Sequence, residues 1–308
     1  MSRALDGRTC VITGGTFGIG RAVALALARE GASLVLVGRS AAHADDTVAA
    51  VRRAGARSVE PLLGDLSSQQ EVRRIAAEIR DRYECVHALV NNAGGLFLWP
   101  ADSADGIEMT WALNHLSYFL LTNLLLDTLR QSAPARIVNV ASEAHARGRI
   151  DFDDPGRVRG AAAYYQSKLA NVLFTRELNR RLLDTGVTAN AVHPGSVASG
   201  FGFNNGWVWR IARPFVQRGA IAPEAAAPSV ARLVIDPALA QVSGRYFDVM
   251  HDAPPAPQAL DDEVGQRLWT LSARMTALPA GCTQWNGVER QEKPHDHGHT
   301  YRAGDDRR

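Results

Sequence analysis

An apolar run that ends in a cluster of glycines, then passes at once into a helical pattern, constrains this chain more than any other feature. Thr9–Thr13 is short and β-branched, Gly14, Gly15, Gly18 and Gly20 follow it, and Gly18–Glu30 has helical periodicity with Gly31 as its stop. Glycines there allow a tight turn and let a ligand approach the backbone closely. The helix that follows offers free N–H groups and the positive end of its dipole to a pyrophosphate. Strand, turn and helix in this order predict a dinucleotide site in the first β-α-β unit.

The rest of the chain repeats the alternation. Residues 33–37, 59–63, 86–90, 136–140 and 187–192 read as strands; residues 41–54, 69–83, 110–131 and 161–182 read as helices. Ser67 is expected to cap the helix that starts at Gln69, and residues 147–160 form a polar loop. Short strands alternating with longer helices imply an α/β fold, a Rossmann-type doubly wound parallel sheet of about seven strands with helices on both faces. No linker interrupts the pattern, so residues 1–276 are read as a single dinucleotide-binding and catalytic domain, and 277–308 as a polar, flexible tail. The alternate histidines His295, His297 and His299 are assigned to that tail, and no metal site is expected.

Composition narrows the partners. Lys plus Arg (34) nearly balance Asp plus Glu (32), leaving a net charge of +2 and no basic field for nucleic acid. Residues 1–10 hold no apolar run of a signal peptide, and no segment has the length of a bilayer span, so no integral membrane anchor is expected. Cys10, Cys85 and Cys282 form no even framework; Cys10 and Cys85 read as small buried residues, and the location expected is cytoplasmic.

The chemistry concentrates on the helix at 161–182, whose apolar stripe is Leu169, Val172, Leu173 and Leu178. Tyr164 and Lys168 stand one turn apart on one face, and an ammonium beside a phenol stabilises the phenolate and lowers its pKa. Only two lysines occur, Lys168 and Lys293. Tyr165 is three positions before Lys168, so spacing alone leaves either tyrosine open. Ser142 ends the strand at 136–140, where ligand sites of such sheets lie.

The motif Thr13-Gly14-x-x-x-Gly18-x-Gly20, the Asn91-Asn92-Ala93-Gly94 element and Tyr164-x-x-x-Lys168 together resemble the short-chain dehydrogenase/reductase family. That resemblance selects Tyr164 as acid/base, with Lys168 tuning it and binding ribose, Ser142 holding the substrate oxygen, and Asn114 tying a proton-relay water to the lysine. It also implies a cofactor bed of Gly14, Thr16, Phe17, Gly18, Ile19, Gly20, Asp65, Leu66, Asn91, Ala93 and Gly94. Pro194, Gly195, Val197 and Ser199 resemble the family segment that contacts the nicotinamide carboxamide, with Ser199 in place of threonine. After the second strand the chain has Gly38-Arg39-Ser40 rather than an acid. Arg39 suits a 2′-phosphate, so NADP(H) is favoured over NAD(H).

Closer likeness is to the retinol dehydrogenases and WW-domain oxidoreductase relatives, carried by residues 105–109, 113–129, 136–142, 164–178 and 242–247. It implies oxidoreduction of an apolar alcohol and its aldehyde or ketone, in a homodimer or homotetramer. Residues 200–219, with Phe201, Phe203, Trp207, Trp209 and Phe215, are expected to form a substrate lid, and Leu96, Phe97, Leu98 and Trp99 a facing wall. The same aromatics also suit core or subunit contacts. The competing function is a catalytically silent NADP(H)-binding regulatory protein.

Overall fold

A computed structural model describes residues 3–197 and 221–278. Its strands are β1 (Thr9–Thr13), β2 (Ser33–Gly38), β3 (Ser58–Leu63), β4 (Ala88–Asn91), β5 (Ala135–Val140), β6 (Val187–His193), β7 (Tyr246–Asp248) and β8 (His251–Ala253). They form one sheet in the order β3-β2-β1-β4-β5-β6-β7-β8. Every pairing from β3 to β7 is parallel, and only β7–β8 is antiparallel. The sheet therefore has one strand more than the sequence predicts, because the three residues His251–Ala253 fold back on β7 with no periodicity to announce them.

Alternation along the strands divides the core. In β1, Cys10 and Ile12 face a layer made by α1 (Gly18–Arg29), α2 (Ala41–Ala54) and α8 (Pro223–Ile235), while Val11 faces the opposite layer. That second layer comprises α3 (Gln69–Arg82), α5 (Ser117–Leu124), α7 (Gly160–Arg181) and α9 (Asp262–Met275). Helix α9 lies over α7, so Phe174 sits between the sheet and Trp269, whose ring centroid is 5.8 Å away. This double cover explains why α7 is buried nearly all round from Ala163 to Leu178, rather than on one stripe.

Three local expectations are corrected. The helix expected at 110–131 is instead a short α4 (Met109–Trp111), a π-helical turn Ala112–Leu116, α5, and α6 (Leu126–Gln131). Ser68, not Ser67, caps α3, accepting from Glu71 N at 3.5 Å; Ser67 is occupied with Asp65, donating to its carboxylate at 2.8 Å. Cys85 is exposed, because β4 begins only at Ala88 and leaves Cys85 in the turn before it, whereas Cys10 is buried as expected. Residues 147–160 do lie mostly outside regular structure, with a 3₁₀ turn at Pro155–Arg157. Among the described residues no helix is long and apolar enough to cross a membrane. The expected lid at 200–219, the tail histidines, Cys282 and Ser199 lie outside the described residues.

Candidate active site

The strand order reverses between β1 and β4, which opens a crevice beyond their C-terminal ends. The glycine turn leaves β1 there and the Asn91–Gly94 element leaves β4. Close packing makes the glycines obligatory. A Cβ on Gly20 would stand 2.1 Å from Gly14 O, and one on Gly38 would meet Thr16 Oγ1 at 2.3 Å. Gly14 has φ +63 and Gly18 has φ +54, a left-handed backbone that suits glycine.

The turn is braced from β4. Asn92 Nδ2 donates to Thr13 O at 2.9 Å and to Gly14 O at 3.3 Å, while Thr13 Oγ1 accepts from Asn92 N at 2.8 Å and Ala93 N at 3.0 Å. Asn91 points the other way. Its Nδ2 donates to Thr122 Oγ1 and Asn139 Oδ1 inside the core, so its side chain supports the sheet and α5 rather than lining the crevice. Sequence reading placed Asn91 in the cofactor bed and gave Asn92 and Thr13 only as motif positions; the strand pleat, one residue further on, is the signal that separates the two asparagines.

At the start of α1, Phe17 is the N-cap and gives no side-chain hydrogen bond, and the first turn holds no acidic residue. By contrast Ser40, Ser68 and Asp261 cap α2, α3 and α9. The first N–H groups of α1 thus remain for an anion, and together with the glycine cradle they fit the pyrophosphate of a dinucleotide. Phe17 is 47% exposed and stacks on His43 at 4.9 Å between centroids. Thr16 is buried, its carbonyl accepting from Thr47 Oγ1 at 2.9 Å, and Ile19 is half-buried. Arg39 at the end of β2 lies 4.0 Å from Asp65 at the end of β3, both half-exposed. Leu66 turns its side chain into the core. Gly195 has φ +93 in the turn after β6, next to buried Pro194, and Val197 forms a bridge to Ile221.

Ser142 lies two residues beyond β5 and caps the 3₁₀ turn Glu143–Arg147, its Oγ accepting from Ala144 N at 3.2 Å. Its hydroxyl is hydrogen-bonded to Tyr164. Lys168 Nζ donates to Val140 O at 2.9 Å and stands 5.8 Å from the Tyr164 ring centroid. Tyr165 turns instead to the Arg147 guanidinium, 5.8 Å above its ring. Ser142, Tyr164 and Lys168 are therefore brought together, and Tyr165 is set apart. Asn114 sits in the π-helical turn, where its amide pairs with the backbone of Gly95, accepting from Gly95 N at 2.8 Å and donating to Gly95 O at 2.9 Å. It also donates to Ser167 Oγ at 3.1 Å, next to Lys168. A π-turn at such a position is a common mark of a functional site.

The electrostatics run against the expectation from spacing. Burial pushes the Tyr164 phenol up to about 12, with the hydrogen bond from Ser142 opposing it and the nearby Glu143 carboxylate adding to it. Burial pushes Lys168 down to about 7. Burial leads both shifts, and each runs opposite to a lysine that lowers the phenol. The facing wall also divides: Phe97 packs against the core, whereas Trp99 is 60% exposed.

Comparison with known proteins agrees with this geometry. Residues 8–205 match the short chain dehydrogenase family. Human retinol dehydrogenase 13 is 41% identical over 291 residues, covering 90% of this chain and 86% of that protein. An uncharacterized protein from Mycobacterium paratuberculosis has a crystal structure that superposes with a TM-score of 0.71 at 30% identity, covering 88% of this chain and 94% of that one. The Pseudomonas aeruginosa RhlG/NADP active-site complex does so with a TM-score of 0.65 at 27% identity, covering 81% and 97%. With its glycine turn, switch-point crevice and Tyr-Lys helix, the chain belongs to the short-chain dehydrogenase family, in its retinol dehydrogenase-like branch, and is an oxidoreductase of alcohol and carbonyl groups.

Proposed function

We propose that the chain is an NADP(H)-dependent oxidoreductase that interconverts an apolar alcohol with its aldehyde or ketone. The observation that carries this reading is the meeting of Ser142, Tyr164 and Lys168 beyond β5, on the same sheet end as the glycine turn. A bound nicotinamide dinucleotide supplies or accepts the hydride. The chain supplies the proton. In reduction, Ser142 holds the carbonyl oxygen and the Tyr164 hydroxyl gives its proton to that oxygen; in oxidation Tyr164 receives it back. Lys168, at about 7, exchanges a proton near neutral pH, and Asn114 fixes the α7 backbone neighbour Ser167 beside it.

Two features support NADP(H). Arg39 presents a planar fork where an acid would accept from the ribose 2′-hydroxyl. Its ion pair with Asp65, at 4.0 Å and open to solvent, is too loose to compete with a phosphate. The name of the RhlG/NADP complex points the same way. The apolar substrate class rests on the likeness to retinol dehydrogenase 13.

The test is NADPH oxidation against a panel of long-chain and aromatic aldehydes and ketones, with Tyr164→Phe beside the wild type. Turnover that falls by about 10²–10⁴-fold in the variant, with NADPH still bound, is the expected result. Equal inactivity of both proteins, each binding NADPH, would leave a silent binder and sink the proposal.

A further inference from the structure

His145 is 4% exposed and lies within the 3₁₀ turn that Ser142 caps. Its Nδ1 is 2.7 Å from Ser142 O, and its Nε2 is 3.0 Å from Ala256 N. A carbonyl only accepts and a backbone N–H only donates. The ring is therefore a single species, neutral, with its proton on Nδ1 and a lone pair on Nε2. It packs 4.7 Å from the Tyr246 ring on β7. A second strap runs alongside, from Gln258 Nε2 to Ala146 O at 2.7 Å. The ring thus joins the turn that carries Ser142 to the segment between β8 and α9, 111 positions away in sequence.

We propose that His145 is a positioning residue for the reaction: its Nδ1–H holds the Ser142 carbonyl, and so the hydroxyl of Ser142, in place for the substrate oxygen. This rests on the role given to Ser142 above. Packing alone would be met by any ring of that size, yet both nitrogens are used, one of them on Ser142 itself. Protonation would replace the Nε2 lone pair with a second N–H facing the Ala256 N–H, so the strap holds only while the ring is neutral. The charged and titratable groups around it are Asp248 and Tyr246 from β7, His193 from the end of β6, and Glu143 in its own turn. Burial outweighs Asp248 and the Ser142 carbonyl and keeps the ring below its ordinary pKa.

Two near-isosteres divide the bonds. In His145→Asn the side-chain amide N–H replaces Nδ1–H at the Ser142 carbonyl; in His145→Gln the amide oxygen reaches the place of Nε2 and accepts from Ala256. The measurement is kcat and KM for NADPH with the best aldehyde of the panel, together with NADPH affinity and the imidazole ¹⁵N resonances of wild-type His145. The expected result is a kcat about 10- to 100-fold lower in His145→Gln, substantial rescue in His145→Asn, and NADPH affinity unchanged in both. The ¹⁵N shifts should report the Nδ1–H tautomer at neutral pH. Equal kcat in the two variants, or an Nε2–H tautomer, overturns the inference while leaving Tyr164 its role, provided the wild type turns over and Tyr164→Phe does not. A wild type without turnover removes the reaction itself, and this positioning role with it.

Discussion

The turn Thr13–Gly20 owes its shape to side chains that are missing, whereas the wall of Asn114, Ser142, Tyr164 and Lys168 owes its shape to polar side chains, the first and last buried and the other two half-buried. In the turn, Gly20 has room for a hydrogen but no methyl, and the bracing comes from Asn92, just beyond the neighbouring strand, bonded to Thr13 of the turn itself. In the wall, an ammonium is committed to a strand carbonyl and an asparagine amide to a loop backbone. A cradle of backbone costs little solvation and tolerates no added bulk. A wall of polar groups tolerates similar shapes but carries a desolvation penalty that its hydrogen bonds only partly offset.

The largest test of this contrast is Gly20→Ala. Its Cβ must displace the Gly14 carbonyl, so NADPH binding is expected to disappear in fluorescence titration, with stability lowered by about 1–3 kcal/mol. Retained affinity would show that the cradle is not close-packed. Lys168→Met tests the other side. It should cut turnover by about 10²–10⁴-fold and yet raise Tm, each kcal/mol recovered being worth about 2–4 °C in a chain of this size. A lower Tm would mean that the bond to Val140 O outweighs the cost of burying the amine.

Arg39→Asp sharpens the cofactor end of the turn: affinity for NADPH should fall by about 10- to 100-fold and that for NADH should hold or rise, as Kd values for the two cofactors would report. The smallest effect is on pH. Burial holds His115 at about 3 and keeps His145 and His193 below their ordinary value. The unfolded chain then binds more protons below about 6.5, so stability is fully present above that pH and falls as the medium is acidified. Urea unfolding from pH 7.5 to 5 should show this slope, and His115→Phe should reduce it; an unchanged slope would assign the proton uptake elsewhere.

Much of the sheet was legible because β1 and β2 alternate between two buried faces and each is followed by a helix start or stop within a few residues. Tyr164, Lys168 and the glycines were legible for a similar reason, since their spacing is local. What escaped depends on distant partners. The π-helical turn is accompanied by pairing of Asn114 with Gly95, 19 positions away, which no helical periodicity records. The lowered lysine and raised phenol follow from burial under several elements, so residue type and spacing pointed the other way. Helix α9 was not singled out, yet it supplies Ser272, which bonds His115 Nε2 at 2.8 Å behind α7.

Helix α9 also sets an order in time. Gln69 Nε2 at the start of α3 donates to Met275 O at 2.9 Å, and Trp269 packs on Phe119 and Phe174. During synthesis the glycine turn, Ser142, Tyr164 and Lys168 have all been made long before Met275 leaves the ribosome. Until then the outer flank of α7 lacks its cover at Phe174, a surface for chaperones to hold. A nascent chain stopped short of α9 would already contain Ser142, Tyr164 and Lys168, without Trp269 over Phe174 or Ser272 against His115.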